Sequence, residues 1–72
     1  MSVGAPVRIT VNGEETTVPP GTTVALLLDA LGTERRGIAV AVDGEVVIRR
    51  TWSERSLAPG EAVEILSIAQ GG

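Results

Sequence analysis

The 72-residue chain contains no cysteine, no histidine, no phenylalanine and no tyrosine, and it has a single tryptophan. The missing cysteines exclude disulfide bonds and, together with the missing histidines, remove the usual zinc ligands. A domain of this length buries only about 60% of the surface of its unfolded chain, so closely packed aliphatic side chains must stabilise it. The hydrophobic content of 43% is sufficient for one such core, and a second domain would not fit.

Positive charge is scarce as well. The formal net charge is -3, and all six basic residues are arginines, so the chain has no lysine. Without a basic stripe to displace counterions from phosphates, nucleic acid is not an expected partner. The absence of lysine also means that no ε-amino group of the chain itself could attack an activated carboxyl group.

Long hydrophobic runs are absent too. The longest, residues 24–28 and 38–42, are far shorter than the roughly 20 residues that span a bilayer. Residues 1–4 lack the positive and apolar regions of a signal peptide. The sequence therefore predicts a cytoplasmic protein that is not associated with a membrane.

Residues 7–18 have the pattern of a β-hairpin. Residues 7–11 alternate apolar and polar side chains, and residues 14–18 are rich in β-branched types, which favour strands. Asn12 and Gly13 between them give a strong turn signal. Pro19 and Pro20 end the second strand because proline has no N–H to donate to a ladder.

A short amphipathic helix is predicted next. Thr22 or Thr23 can accept the free N–H groups of the first turn, and Gly32 is placed to end the helix. One face carries four apolar residues, Val24, Leu27, Leu28 and Leu31. Arg35 and Arg36 in the following loop, residues 33–37, are expected to be solvated.

The second half of the chain predicts a further hairpin and a final strand. Residues 38–42 and 45–48 flank the turn pair Asp43 and Gly44. Residues 49–56 are predicted to form a loop anchored by Trp52, and residues 62–68 the last strand. The expected fold is α+β: a mixed sheet of four to five strands packed on one main helix.

The last strand continues into two glycines. We expect one folded domain at residues 1–68 and a flexible C-terminal tail at residues 69–72, which would reach roughly 13–14 Å when extended. Gly71 and Gly72 lack Cβ atoms and can enter a narrow slot in a partner. A free α-carboxylate at Gly72 is a poor electrophile and needs activation, most simply as an acyl-adenylate. Whether Gly72 is encoded as the last residue or exposed by processing is left open.

Leu66 and Ile68 fall on the strand face opposite Val63 and Ile65. We predict that they contact a partner, together with tail residues Ala69, Gln70 and Gly71. The chain has no phosphate-binding loop, no nucleophile paired with histidine and no metal-binding cluster. An enzyme is therefore the weakest interpretation, and a carrier, a modifier or an interaction module remains.

The order of short motifs along the chain resembles the ThiS family of thiamine-biosynthesis sulfur carriers. The similar segments are Val11-Asn12-Gly13-Glu14, residues 21–27, Leu31-Gly32, residues 37–47, Trp52, residues 60–65, and Gln70-Gly71-Gly72. The resemblance covers nearly the whole chain. It implies a ubiquitin-like β-grasp fold and a carrier that binds no cofactor itself.

The resemblance also implies a reaction sequence and a set of partners. A ThiF-like adenylating enzyme would use ATP to adenylate Gly72, the glycine that matches the family's sulfur-bearing residue. A sulfur donor, such as a cysteine desulfurase or sulfurtransferase, would convert the adenylate to a thiocarboxylate. Thiazole synthase (ThiG-like) would take that sulfur for the thiazole ring of thiamine.

Three alternatives to a thiamine-pathway carrier remain, and the first two use the same terminal motif. Related carriers serve molybdopterin synthesis, cysteine synthesis or tRNA thiolation. A ubiquitin-like modifier would instead join Gly72 to lysines of target proteins. A non-covalent interaction module would not require Gly72 at all.

Overall fold

The computed structural model describes residues 4–68, and the predicted tail at residues 69–72 lies outside them. The elements, in chain order, are β1 (Val7–Val11), β2 (Glu14–Val18), α1 (Val24–Leu31), β3 (Ile38–Val42), β4 (Glu45–Val47), a 3₁₀ turn (Arg49–Thr51) and β5 (Ala62–Ser67). The sheet has five strands in the order β2-β1-β5-β3-β4. β1 and β5 are parallel and the other neighbours are antiparallel, which confirms the predicted mixed sheet and α+β class.

Both predicted hairpin turns are of the primed type. Asn12 and Asp43 have φ of 52°, and the glycines that follow them, Gly13 and Gly44, have φ of 85° and 84°. Positive φ at both central positions gives a backbone twist that matches the twist of the flanking strands. The two hairpins therefore form where their dipeptides predicted them.

The helix starts and ends by the expected chemistry. Thr23 is the N-cap, because its Oγ1 accepts the Leu26 N–H at 3.2 Å. Thr22 is buried instead, and its hydroxyl donates to the Pro19 carbonyl at 2.7 Å. Gly32 ends the helix with φ of 70°, a left-handed conformation that suits glycine.

The core lies between α1 and one face of the sheet. Within residues 4–68 the buried residues of this core are Val7, Ile9, Val18, Val24, Ala25, Leu27, Leu28, Val40, Val42, Trp52, Leu57 and Val63. The helix therefore covers the face of β3 that holds Val40 and Val42. The single tryptophan is an anchor as predicted: its ring is buried and its Nε1–H donates to the Val47 carbonyl at 2.8 Å.

Three details of the predicted elements were wrong. Leu31 was placed on the buried helix face but is 46% exposed, because it is the last helical residue and lies at the end of that face; Ala25 is buried instead. Ile48 is not in β4, since it caps the 3₁₀ turn. β5 ends at Ser67 rather than at Ile68.

Candidate functional site

The candidate site is the carboxyl end of β5, from which residues 69–72 continue. β5 lies in the middle of the sheet, between β1 and β3. Its register with β3 pairs Ser67 with Ile38, and the Ile68 N–H donates to the Gly37 carbonyl at 2.8 Å. The sheet therefore fixes the position of the backbone as far as Ile68.

On the other side of β5, the pairing with β1 ends earlier along the strand than the pairing with β3 does. The parallel register with β1 pairs only Thr10 with Ala62 and Val11 with Val63. Beyond it, the Asn12 N–H donates to the Val63 carbonyl, and the Asn12 Oδ1 accepts the Ile65 N–H, both at 2.8 Å. Asn12 thus holds β5 after β1 itself has turned away.

An apolar surface lies beside this strand end. Leu66 is 53% exposed and Ile68 is 57% exposed. Both lie on the sheet face away from the helix, and Leu66 is opposite Ala39 of β3. We call Ala39, Leu66 and Ile68 the tail-side patch. Contiguous exposed apolar groups can mark a protein contact, and the partner contact expected for Leu66 and Ile68 stays a prediction.

The loop at residues 33–37 is held in place by two arginines. The Arg35 Nη2 lies 3.0 Å from the Asp29 Oδ1 at the end of α1, and both side chains are exposed. The Arg49 guanidinium donates to the Arg35 carbonyl and lies 5.4 Å over the Trp52 ring. Arg35 is therefore paired within the chain rather than only solvated, and the loop that carries Gly37 is fastened to the helix and to the 3₁₀ turn.

The start of β5 is fixed by an ion pair. The Glu61 Oε2 accepts from the Arg55 Nη2 at 2.9 Å, and the Glu61 Oε1 accepts the Ala58 N–H at 2.8 Å. The hydrogen bond from Arg55, opposed by partial burial and aided by the Ala58 N–H, lowers the pKa of Glu61. The same pairing raises the pKa of Arg55. This pair fastens the loop to the start of β5.

Leu66 and Ile68 are the two predicted site residues that lie in the described part of the chain. Ala69, Gln70, Gly71 and Gly72 lie outside it, so their roles and the boundary between domain and tail stay predictions. Sequence reasoning missed the contribution of Asn12 to β5, since only its turn signal is visible in the sequence. The role of the Gly37 carbonyl had no sequence signal, because any residue type supplies a carbonyl.

Within residues 4–68, no group of three or more histidine, cysteine, aspartate or glutamate side chains could hold a metal ion. No helix in the same region is long and apolar enough to cross a membrane.

Comparison with protein-family models matches residues 3–72 to the ThiS family. The chain belongs to the ThiS family. A ThiS crystal structure from Geobacter metallireducens superposes with a TM-score of 0.79 at 33% identity, covering 92% of this chain and 100% of that one. At this likeness the ubiquitin-like β-grasp fold that the resemblance implied is confirmed.

Two curated relatives also match. The sulfur carrier protein ThiS of Thermus thermophilus is 33% identical over 52 residues, which are 72% of this chain and 81% of that protein. The thiazole synthase of Paramagnetospirillum magneticum is 31% identical over 65 residues, which are 90% of this chain but 20% of that protein. The chain thus spans about one fifth of that larger relative. These matches confirm the ThiS family prediction and support the carrier function that it implied.

Proposed function

We propose that this chain is a sulfur carrier of thiamine biosynthesis whose Gly72 bears the sulfur as a thiocarboxylate. The observation that carries the proposal is the ThiS family match over residues 3–72. The fold supports it, because β5 is a central strand anchored on both sides and leads directly into residues 69–72. A carrier of this kind is a co-substrate of its partner enzymes rather than an enzyme.

The chemistry begins at the carboxylate of Gly72. A ThiF-like adenylating enzyme binds ATP, the carboxylate oxygen attacks the α-phosphorus, and pyrophosphate leaves. The outer sulfur of a persulfide on the donor, such as a cysteine desulfurase or sulfurtransferase, then attacks the acyl carbon and displaces AMP. A thiol next cleaves the S–S bond of the resulting acyl disulfide, which releases the thiocarboxylate and leaves the two thiol sulfurs as a disulfide. The acyl C–O bond to AMP is replaced by a C–S bond, and no net oxidation occurs at the glycine carbon.

The composition of the chain suits an activated terminus. Because the sequence has no lysine, no ε-amine of the carrier can attack its own adenylate or form an isopeptide bond between two carriers. The protein's part is to present Gly71 and Gly72 on a narrow peptide, at a point fixed by the hydrogen bonds to Ile65 and Ile68. All nucleotide binding belongs to the partner.

Thiazole synthase is the proposed acceptor of the sulfur. The thiazole synthase of Paramagnetospirillum magneticum contains a stretch similar to 90% of this chain. A carrier-like segment within a thiazole synthase supports a working relation between the two proteins. The adenylating enzyme and the sulfur donor are proposed from the family resemblance.

The proposal is tested by adding one alanine after Gly72. The extended chain should fold as before but should not form a thiocarboxylate with the adenylating enzyme, ATP and a sulfur donor, and it should not restore growth of a thiamine-requiring strain that lacks the carrier. A matched control carries one extra alanine before Met1 and should behave as the unextended chain. Growth supported by an extended chain that intact mass shows to be untrimmed would contradict the mechanism.

A further inference from the structure

The backbone groups of β5 point alternately to its two neighbours. The Asp43 N–H donates to the Ala62 carbonyl at 2.8 Å on the β3 side, and the Ile68 N–H bonds to Gly37 on the same side. Carbonyls of residues 61 and 63 accept from Thr10 and Asn12 on the β1 side. In a regular strand this parity continues, so the backbone groups of Ile65 and Ser67 point to the β1 side.

No strand of the described sheet pairs with the β1-side backbone groups at the end of β5. The Ile65 N–H is satisfied by the Asn12 side chain, and β1 has already ended at Val11. The Ile65 carbonyl and both backbone groups of Ser67 have no β1 residue opposite them. Within residues 4–68, no side chain and no turn or loop hydrogen bond reaches them. A short stretch of open edge therefore runs along a central strand just before the tail.

This edge differs from the two outer edges of the sheet. β2 begins with two glutamates and is followed by two prolines, and β4 has three residues. Charges, prolines and short length are the features that keep a strand edge from pairing with another chain. Residues 65–68, by contrast, read Ile-Leu-Ser-Ile, with neither charge nor proline.

We propose that the adenylating enzyme adds an extended segment of its own as a strand beside residues 65–67. Its backbone would hydrogen-bond to the Ile65 carbonyl and to both backbone groups of Ser67, as in other strand-addition complexes. The tail-side patch indicates which side chains that segment carries. Apolar residues at alternate positions of the added strand would lie on the outer face of the sheet and pack against Leu66 and Ile68. The inference rests on the proposed function, since it concerns how the enzyme holds the strand that leads to Gly72.

The first test compares Ser67→Pro with Ser67→Ala, using the ThiF-type enzyme encoded in the same genome. Proline removes the N–H and blocks an added strand, but it breaks no internal ladder bond because that N–H points away from β3. Ser67→Pro should weaken binding about tenfold or more, the loss expected for one hydrogen bond plus a steric block. Ser67→Ala keeps the N–H and should bind within about twofold of the parent. Equal affinities of two folded variants would overturn the proposal.

The second test needs no substitution. Amide exchange of Ser67 is measured in the free carrier and in its complex with the same enzyme. Exchange should slow at least about tenfold in the complex, and the Ile65 amide, already bonded to Asn12, should change less. An unprotected Ser67 amide in a complex that forms the Gly72 adenylate would overturn the added strand and leave the carrier function intact. A chain that the active enzyme neither binds nor adenylates would overturn both.

Discussion

At the scale of single residues, Asn12 connects the first hairpin to the last strand across 53 positions of sequence. Its φ of 52° permits the turn, while its side chain accepts the Ile65 N–H that β1 no longer reaches. The turn requirement is met by asparagine, aspartate or glycine, but the second contact requires a side-chain oxygen. The choice of asparagine over glycine therefore matters for β5 rather than for the turn alone.

Replacing Asn12 separates these two contributions. Asn12→Gly keeps the turn but should lower the free energy of unfolding by about 1–2 kcal/mol, through the lost hydrogen bond and the freer unfolded chain. The Ile65 amide should also exchange faster. Asn12→Asp keeps an acceptor oxygen and serves as the control, with Ile65 exchange close to that of the parent. Unchanged Ile65 exchange in Asn12→Gly would show that the contact contributes nothing.

Trp52 supplies the largest single buried side chain. Trp52→Phe removes the Nε1–H bond to Val47 and leaves unfilled volume in the core. It should lower the free energy of unfolding by about 1–3 kcal/mol, measured by urea unfolding followed with circular dichroism. Leu26→Ala, at a residue 54% exposed, is the control and should change stability by about 0.5 kcal/mol or less. Equal unfolding midpoints for the two variants would contradict this account.

At the scale of elements, the loop between the 3₁₀ turn and β5 joins the helix to the sheet. Its carbonyls at Trp52 and Arg55 accept the N–H groups of Ala25 and Val24 at 3.0 and 2.9 Å. These are donors that the first helical turn leaves without helical partners. The Arg55–Glu61 pair then fixes the same loop against the start of β5.

That ion pair predicts a pH dependence of stability. The folded-state pKa of Glu61 lies below its ordinary value of 4.5. The ion pair therefore contributes fully to the free energy of unfolding above pH 4.5, and this contribution is lost as the pH falls through the lowered folded-state pKa. Because Arg55 is partly exposed, solvent screening limits the contribution to about 0.5–1 kcal/mol. Glu61→Gln should lower the free energy of unfolding at pH 7 by about 0.5–1 kcal/mol. The free energy of unfolding of this variant should also fall less between pH 7 and pH 3 than that of the parent.

A matched substitution controls for the removal of a carboxylate. Glu54→Gln changes another glutamate in the same loop, and its side chain is exposed. The stability of this variant should follow that of the parent between pH 7 and pH 3. If Glu54→Gln and Glu61→Gln lost the same stability at pH 7, the effect would come from net charge rather than from the pair.

Much of this element structure could be predicted because it depends on local chemistry. A few adjacent residues were enough to predict the turn dipeptides, the Thr23 cap and the end of the helix at Gly32. The contact between the helix and the loop that precedes β5 could not be predicted, because it uses backbone carbonyls, which every residue type provides. The exposure of Leu31 was missed for a related reason: helical periodicity gives the face of a residue but not how far the neighbouring sheet extends.

At the scale of the whole molecule, one side of the sheet builds the core and the other exposes the apolar side chains of Leu66 and Ile68. The predicted family and fold are confirmed by the comparisons. The exposure of Leu66 and Ile68 agrees with their predicted place on the outer face. What the sequence could not predict is the open edge beside Ser67, since it depends on where β1 turns away from β5.

The tail-side patch predicts a defect in binding without a defect in folding. Leu66→Glu should weaken binding of the adenylating enzyme about tenfold to a hundredfold, because a charge would be placed in an apolar contact. Leu26→Glu on the helix is the matched control, since the two leucines are 53% and 54% exposed, and it should bind as the parent does. Similar affinities for the two folded variants would remove the patch from the interface.

Intact mass shows whether Gly72 carries sulfur. The chain is incubated with ATP, the adenylating enzyme and a sulfur donor, and the mass change is located by fragmentation. We predict a gain equal to the exchange of one oxygen for one sulfur, at Gly72. An unchanged mass with partners shown to be active on another carrier would contradict the claim, and an isopeptide bond from Gly72 to a target lysine would indicate a protein modifier instead.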